Sequence, residues 1–414
     1  MPTFYDELET RSMKQREASQ FALLKQQLDR TLKISPYYSE TLAEFAGLKE
    51  VDSILLAKMP LTRKSELLEL QRKTPPFGGL SVLTPPTLMR IFASPGPIYE
   101  PETRGRDCWR FARALSAAGV RSGDLLYNCF SYHFTPAGAM VESGAFALDC
   151  AVFPAGTGQT ELQARTIADL RPRVYVGTPS FLKIILDKGD ELALDLGSLH
   201  QGLVSGEYFS PELRREFASR GIDVLQCYAT ADLGLIAYES PEDQGMILDE
   251  GVIVEIVRPG TGDPVPDGEV GEVVVTCLNN DYPLIRFATG DLSAILPGQS
   301  ACGRTNRRIK GWMGRADQST KVRGLFVHPS QIAEVLSQHD EAIKGRLVVS
   351  RNSRELDEIC LQVETALTDR ADLSRALADS FQGIAKLRTD VILCQPNSLA
   401  NDGIVIDDLR PIDC

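Results

Sequence analysis

The stretch Pro283-Leu284-Ile285-Arg286-Phe287-Ala288-Thr289-Gly290-Asp291 decides how this chain is read. Its end, Thr289-Gly290-Asp291, is taken alone more often a plain turn than a site. The aspartate gains meaning because one carboxylate can accept hydrogen bonds from two neighbouring hydroxyls. Two further segments stand in order around it. Upstream lies Gln226-Cys227-Tyr228-Ala229-Thr230-Ala231-Asp232. Downstream lies Gly314-Arg315-Ala316-Asp317, followed by Lys321-Val322-Arg323-Gly324. Each is weak by itself: Gly-Arg-x-Asp is usually a solvated loop, and a lone tyrosine is usually a core residue. Their order along the chain is more specific than any one of them.

The surroundings fit a layered α/β chain. Phe21, Leu24, Leu28 and Leu32 recur at helical spacing until Ser35-Pro36 stops the pattern. A second helix is read from Thr62, with Lys64, Glu66 and Glu69 outward and Leu67, Leu68 and Leu70 partly inward. Between about 105 and 240 strands and helices alternate. Strands are read at 124–127, 151–153, 174–176, 202–204 and 223–225, and helices at 109–118, 137–147, 159–170, 181–188 and 211–220. Such alternation predicts a mainly parallel sheet covered by helices, with ligands outside the carboxyl ends of the strands. From about 250 the pattern becomes β-rich at 252–257 and 269–276, with Pro259-Gly260 and Asp267-Gly268 turns. After Gly314 comes a small α+β unit. It has a helix at 330–337 capped by Ser330, strands at 345–350 and 358–364, a helix at 370–381 and a strand at 390–393.

Bulk properties narrow the function. A chain of 414 residues predicts two or three domains. Its net charge, 44 − 56 = −12, argues against a nucleic acid or an anionic membrane held by bulk charge. A basic run at Arg304, Arg307, Arg308, Lys310, Arg315, Lys321 and Arg323 is small enough to serve one anionic ligand. Nine cysteines, an odd number without a CxxC pair, read as reduced thiols rather than a disulfide framework. The start, Met1-Pro2-Thr3-Phe4-Tyr5-Asp6-Glu7, has no basic region followed by an apolar run and is not read as a signal peptide. No apolar run approaches the roughly 20 residues of a membrane span. His133, His200, His328 and His339 are dispersed, so no zinc site is read, and neither is a Ser-His-Asp set. Gly156-Thr157-Gly158-Gln159-Thr160 lacks dinucleotide-binding spacing.

Together the three ordered segments resemble the adenylate-forming enzyme superfamily. Ser35-Pro36-Tyr37-Tyr38, Lys58-Met59-Pro60-Leu61-Thr62, Val204-Ser205-Gly206-Glu207, Cys302-Gly303-Arg304-Thr305 and Val327-His328-Pro329-Ser330-Gln331-Ile332 make the likeness strongest to the phenylacetate–CoA ligase branch. The resemblance implies an α/β fold. A large multi-subdomain N-terminal region, 1–316, would have mainly parallel helix-covered sheets, and a small α+β C-terminal lid, 317–414, would swing about Asp317. It implies that a carboxylic acid, aromatic or otherwise apolar, reacts with ATP to give acyl-AMP and pyrophosphate, and that the acyl group then passes to coenzyme A. Mg²⁺ is implied at Asp232, which stands in place of a metal-binding Glu. The implied catalytic residues are Asp232, Arg315 and Asp317. For the nucleotide and CoA the implied residues are Ser94, Gly96, Tyr99, Ser205, Gly206, Glu207, Gln226, Cys227, Tyr228, Ala229, Thr230, Asp291, Arg315, Arg323 and Gly324. Asp291 would take the ribose hydroxyls, Tyr228 would lie beside adenine, and Thr230 or Ala231 near the α-phosphate. Tyr132, His133, Phe134, Gly156 and Thr157 are implied for the acid. A cytoplasmic homodimer is the family expectation.

Two departures stand out. The stretch matching the family's phosphate loop is Ala93-Ser94-Pro95-Gly96-Pro97-Ile98-Tyr99-Glu100-Pro101. Its prolines carry no N–H, Ile98 no hydroxyl, and Glu100 stands where a cation is expected. A carboxylate about 6 Å from a phosphate charge costs roughly 3 kcal/mol at an effective dielectric near 20. The second departure is Ile404, within Asn401-Asp402-Gly403-Ile404-Val405, in the place of the lid lysine that bridges carboxylate and α-phosphate. Losing one such donor slows a step by a factor of about 10²–10³. The sequence therefore predicts slow adenylation. Its rival readings are a weakened homologue that binds nucleotide or CoA as a regulatory protein, and an adenylating enzyme with an acceptor other than CoA.

Overall fold

The computed structural model describes every residue except 1–3, 82, 84, 208, 242–244, 259–260, 314, 317–319, 324, 328, 353–355, 367–370, 401–403 and 411–414. The chain divides into two compact units, Met1–Trp312 and Met313–Cys414.

The first unit is organised by a nine-stranded sheet. From one edge its order is Ile295–Leu296, Arg308–Ile309, Met246–Leu248, Gly234–Tyr238, Asp223–Thr230, Gln201–Val204, Val174–Gly177, Leu125–Asn128 and Ala151–Pro154. The five strands from Asp223–Thr230 to Ala151–Pro154 run parallel. The crossover helices between them, such as Pro179–Glu191, bury Leu182, Ile185 and Leu186 against the sheet. On the other side of Asp223–Thr230 the pairing becomes antiparallel. The parallel pattern read from the sequence thus covers one half of this sheet. The strand at the switch carries Tyr228, and its pairing shifts register between Tyr228 and Ala229. Such bulges re-aim side chains.

A second sheet orders Thr62–Arg63, Leu284–Ser293, Gly271–Cys277 and Val252–Val257. Helix Met13–Ile34 starts on a capping box between Ser12 and Gln15. Its buried amides fix it to these strands: Gln20 Nε2 donates to the Val252 carbonyl (3.0 Å) and Gln27 Nε2 to that of Cys277 (2.9 Å). Separately, Leu88–Ser94 and Ile98–Thr103 form an antiparallel hairpin.

The second unit has a four-stranded sheet ordered Asp390–Cys394, Asp357–Glu364, Lys344–Arg351 and Ile406–Asp408. Helices Pro329–Ser337 and Ala371–Ala385 cover a core that includes Ile332, Leu347, Leu361, Leu377 and Phe381.

Three local expectations need correcting. Thr62–Arg63 is a strand, Lys64–Glu66 forms one turn of 3-10 helix, and the α-helix begins at Leu67. The helix expected to be capped by Ser330 begins one residue earlier, at Pro329. Arg304 is not available to an anion, because it is buried on Glu9 with Nε 3.1 Å from Oε2. The eight described cysteines are free. Among the described residues, no helix is long and apolar enough to cross a membrane.

Candidate functional site

Asp291 lies near the end of the strand Leu284–Ser293 and is 8% exposed. Two neutral donors hold its carboxylate. The Tyr228 hydroxyl donates to Oδ2 at 2.7 Å, and Trp312 Nε1 donates to Oδ1 at 3.1 Å. Thr289 Oγ1 accepts from the Asp291 amide at 3.1 Å and lies 3.3 Å from the same tyrosine oxygen. A carboxylate offers about four acceptor positions, so it can take several donors at once. Trp312 escaped the sequence reading. Its one signal was an indole two residues ahead of the Gly314-Arg315-Ala316-Asp317 segment.

A second cluster forms where Asp223–Thr230 runs into the turn at Asp232. Asp232 Oδ2 accepts from Lys64 Nζ at 2.5 Å. Its Oδ1 is buried and finds no partner among the described residues. Burial opposes the Lys64 charge, but Asp232, then Glu100 and Asp291, more than offset it and raise the lysine above its ordinary value. The sequence reading missed Lys64 because it assigned the residue to the outward face of a helix.

The residues around Arg286 set where that lysine stands. Arg286 is 2% exposed. Its Nη1 donates to the carbonyls of Ala57 (2.8 Å) and Met59 (2.6 Å), its Nη2 to that of Gly262 (2.8 Å), and its Nε to Glu255 (3.0 Å). The segment held in this way runs into Thr62–Arg63, which pairs parallel with Phe287 and Ala288. Lys64 follows directly. Arg286, inside the quoted stretch, is therefore a structural clamp.

The hairpin supplies the third part. Glu100 is 2% exposed and turns inward. It accepts from the Ser94 amide (3.2 Å) and is hydrogen-bonded to the Ser94 hydroxyl. Burial first, and Asp232 second, push its carboxyl up to about 8, against the opposing pull of Ser94 and Lys64. Glu100 therefore holds a proton at neutral pH, which corrects the fixed negative charge expected from sequence. Tyr99 precedes it on the strand and faces the other way, 41% exposed. The buried Tyr282 hydroxyl also feels Asp232 and Glu100 and finds no partner among the described residues.

The chain is similar to proteins of known activity. The family model described as AMP-binding enzyme matches residues 106–277. The phenylacetate–coenzyme A ligase of Thermus thermophilus is 31% identical over 385 residues, spanning 88% of this chain and 84% of that protein. The ligase of the same name from Escherichia coli is 30% identical over 423 residues, spanning 96% and 95%. The chain belongs to the phenylacetate–CoA ligase family. A crystal structure of 2-hydroxyisobutyryl-CoA ligase in complex with 2-HIB-AMP and CoA, in the thioesterification state, is similar with a TM-score of 0.81 at 25% identity, covering 97% of this chain and 91% of that one.

Within this phenylacetate–CoA ligase family chain, the other expected residues fall into distinct groups. Ser205 Oγ donates to the Cys227 carbonyl (2.8 Å), and Gln226 Nε2 to that of Glu207 (2.9 Å), which ties the 205–207 loop to the Tyr228 strand. Glu207 itself accepts from Ser180 Oγ at 2.5 Å. Gly206 adopts a φ of 81°, open to glycine without strain. Thr230 Oγ1 accepts from the Leu233 amide at 3.2 Å and shapes the turn to Asp232. Gly96 stands at the hairpin tip.

Of the residues expected for the acid, Tyr132 is half-buried and its hydroxyl accepts from Asn128 Nδ2 at 2.7 Å. His133 and Phe134 are exposed and meet edge to face at 4.7 Å. Gly156 and Thr157 lie in a loop held by Gln163 Nε2, which donates to the carbonyls of Gly156 and Gly158, both at 3.2 Å. Arg315 and Arg323 belong to the second unit. There Arg323 Nη2 donates to the Asp357 carbonyl at 2.7 Å. Asp317 and Gly324 lie outside the described residues.

Among the described residues, no group of three or more His, Cys, Asp or Glu could hold a metal ion. The partnerless Asp232 Oδ1 nonetheless suits a Mg²⁺ ion that takes its remaining ligands from phosphate and water.

Proposed function

We propose that the chain activates a small carboxylic acid as its adenylate and passes the acyl group to CoA. The observation that carries this reading is the buried Asp291 carboxylate, aligned by Tyr228 and Trp312. Asp291 accepts hydrogen bonds from the ribose hydroxyls. Tyr228, tied to it, borders the base. Asp232 and Lys64 stand at the phosphate end. A bound Mg²⁺ held by Asp232 would neutralise phosphate charge. The acid is aromatic, as the names of the relatives and the nearby Tyr132, Phe134 and Phe153 suggest. Arg315 serves the nucleotide, and Arg323-Gly324 of the lid, which begins at about residue 317, serve the pantetheine. The active form is a cytoplasmic homodimer.

Adenylation is the slow half-reaction. Ile404 offers no charge where the lid lysine acts, and Lys64 is already engaged by Asp232. These same observations favour a second reading, a nucleotide- or CoA-binding homologue without turnover. The two are separated by pyrophosphate release over a panel of aryl and alkyl acids, with CoA present and products resolved by mass. A thioester with matching pyrophosphate supports the ligase. Binding of nucleotide without turnover of any acid supports the second reading.

A further inference from the structure

The two ends of the nucleotide site are built from opposite materials, and we infer that it takes a nucleoside monophosphate, AMP or its mixed anhydride with an acid, in preference to a nucleoside triphosphate. The inference rests on the proposed placement of the adenylate between Asp291 and Asp232. At the ribose end a neutral phenol and a neutral indole orient one carboxylate, and nothing there depends on how many phosphates follow.

Among the described residues, the hairpin at the far end offers few donors to a β- or γ-phosphate. Pro95 and Pro97 at the hairpin tip have no N–H. The Ser94 amide and hydroxyl are both turned onto Glu100. Lys64, the cation that faces this cluster, is bound to Asp232. Tyr99, the other hydroxyl of the tip, is on the outer face of its strand. A polyphosphate entering at the hairpin meets the buried Glu100 carboxyl group in place of donors. To be held by the hairpin it must draw Ser94 away from Glu100. That exchange leaves a buried carboxyl group without its partner, which costs binding free energy. A single phosphate needs no such exchange.

Such a ground state suits the thioester half-reaction. The CoA sulfur bonds to the acyl carbon and the acyl–oxygen bond breaks. AMP leaves with the electron pair, and the thiol proton goes to solvent.

Isothermal titration of the full-length protein with AMP, ADP and ATP, each with and without Mg²⁺, tests the inference. The expected result is AMP at least about tenfold tighter than ATP. In Glu100→Lys, which restores a cation at the hairpin, ATP binding should rise about tenfold while AMP changes less than about twofold. Glu100→Gln keeps the size of the side chain and guards against a folding failure; ATP should tighten in it too, by a smaller factor. ATP binding as tightly as AMP to the wild type in Mg²⁺ overturns the inference and leaves the proposed function standing. An unchanged ATP:AMP ratio in both variants also overturns it. Failure to bind any adenine nucleotide overturns the inference and the proposed function together.

Discussion

Lys64 Nζ and Asp232 Oδ2 are 2.5 Å apart, although the two residues are 168 positions apart in sequence. The carboxylate side of the pair is fully buried and the lysine is 28% exposed. Removing the lysine therefore strands a buried negative charge. Lys64→Met should lower unfolding free energy by about 2–4 kcal/mol, and Asp232→Asn by less. In the double variant the coupling should be at least about 1 kcal/mol. Urea unfolding of the four proteins measures it; additive losses would show that the pair contributes nothing.

Glu100 makes stability depend on pH in a direction opposite to most carboxylates. Its folded-state value lies near 8 because of burial and Asp232, against 4.5 for an ordinary glutamate. The groups facing it are Asp232, Lys64, Ser94 and the Tyr282 hydroxyl. The folded chain keeps a proton that the unfolded chain has lost, so this contribution is complete below pH about 4.5. It declines as pH rises and is gone above about 8. Glu100→Gln should melt close to wild type at pH 4.5 and at a progressively higher temperature than wild type up to pH 8. Parallel melting curves at every pH would contradict this.

Ile404 tests the slow half-reaction. It is 37% exposed, so a lysine can be accommodated there. Ile404→Lys should raise ATP–pyrophosphate exchange about 10–100-fold with thioester formation from a supplied acyl adenylate unchanged. No gain in exchange would remove the lid residue from the explanation.

Arg286 should behave as a clamp and not as a binding residue. Its guanidinium makes three bonds to carbonyls and one to Glu255, all buried or partly buried. Arg286→Met should cost about 3–5 kcal/mol of stability. Below its melting point, AMP affinity should change less than Lys64-dependent effects do. Lysine is a poor substitute, because one ammonium cannot reproduce the fork.

The sequence made the Asp291 end of the site legible and left the Asp232 end half-hidden, for physical reasons. Asp291, Tyr228 and Asp232 lie in ordered segments whose spacing along the chain survives folding. The alternation from 105 to 240 likewise gave the parallel strands, because each crossover helix is a local pattern. Lys64 was lost because the charges Lys64, Glu66 and Glu69 beside Leu67, Leu68 and Leu70 read as the solvated side of a helix. What sets Thr62–Arg63 as a strand is its pairing with Phe287 and Ala288, more than two hundred residues away. The charge state of Glu100 was misjudged because burial cannot be counted from a loop sequence. Trp312 was missed because a single indole carries no local signal of the carboxylate it will meet.

Tyr228 and Trp312 should matter through Asp291. Tyr228→Phe and Trp312→Phe each remove one donor, and each should weaken AMP by about 3–10-fold. Their effects should be non-additive with loss of Asp291 itself.

The most direct test of the account is AMP binding to wild type and to Asp291→Ala, measured by titration calorimetry on protein whose fold is verified by circular dichroism. The account predicts saturable one-site binding to the wild type and a loss of at least about 100-fold in the variant. Equal AMP affinity in the two proteins, or no binding to the wild type, would contradict it.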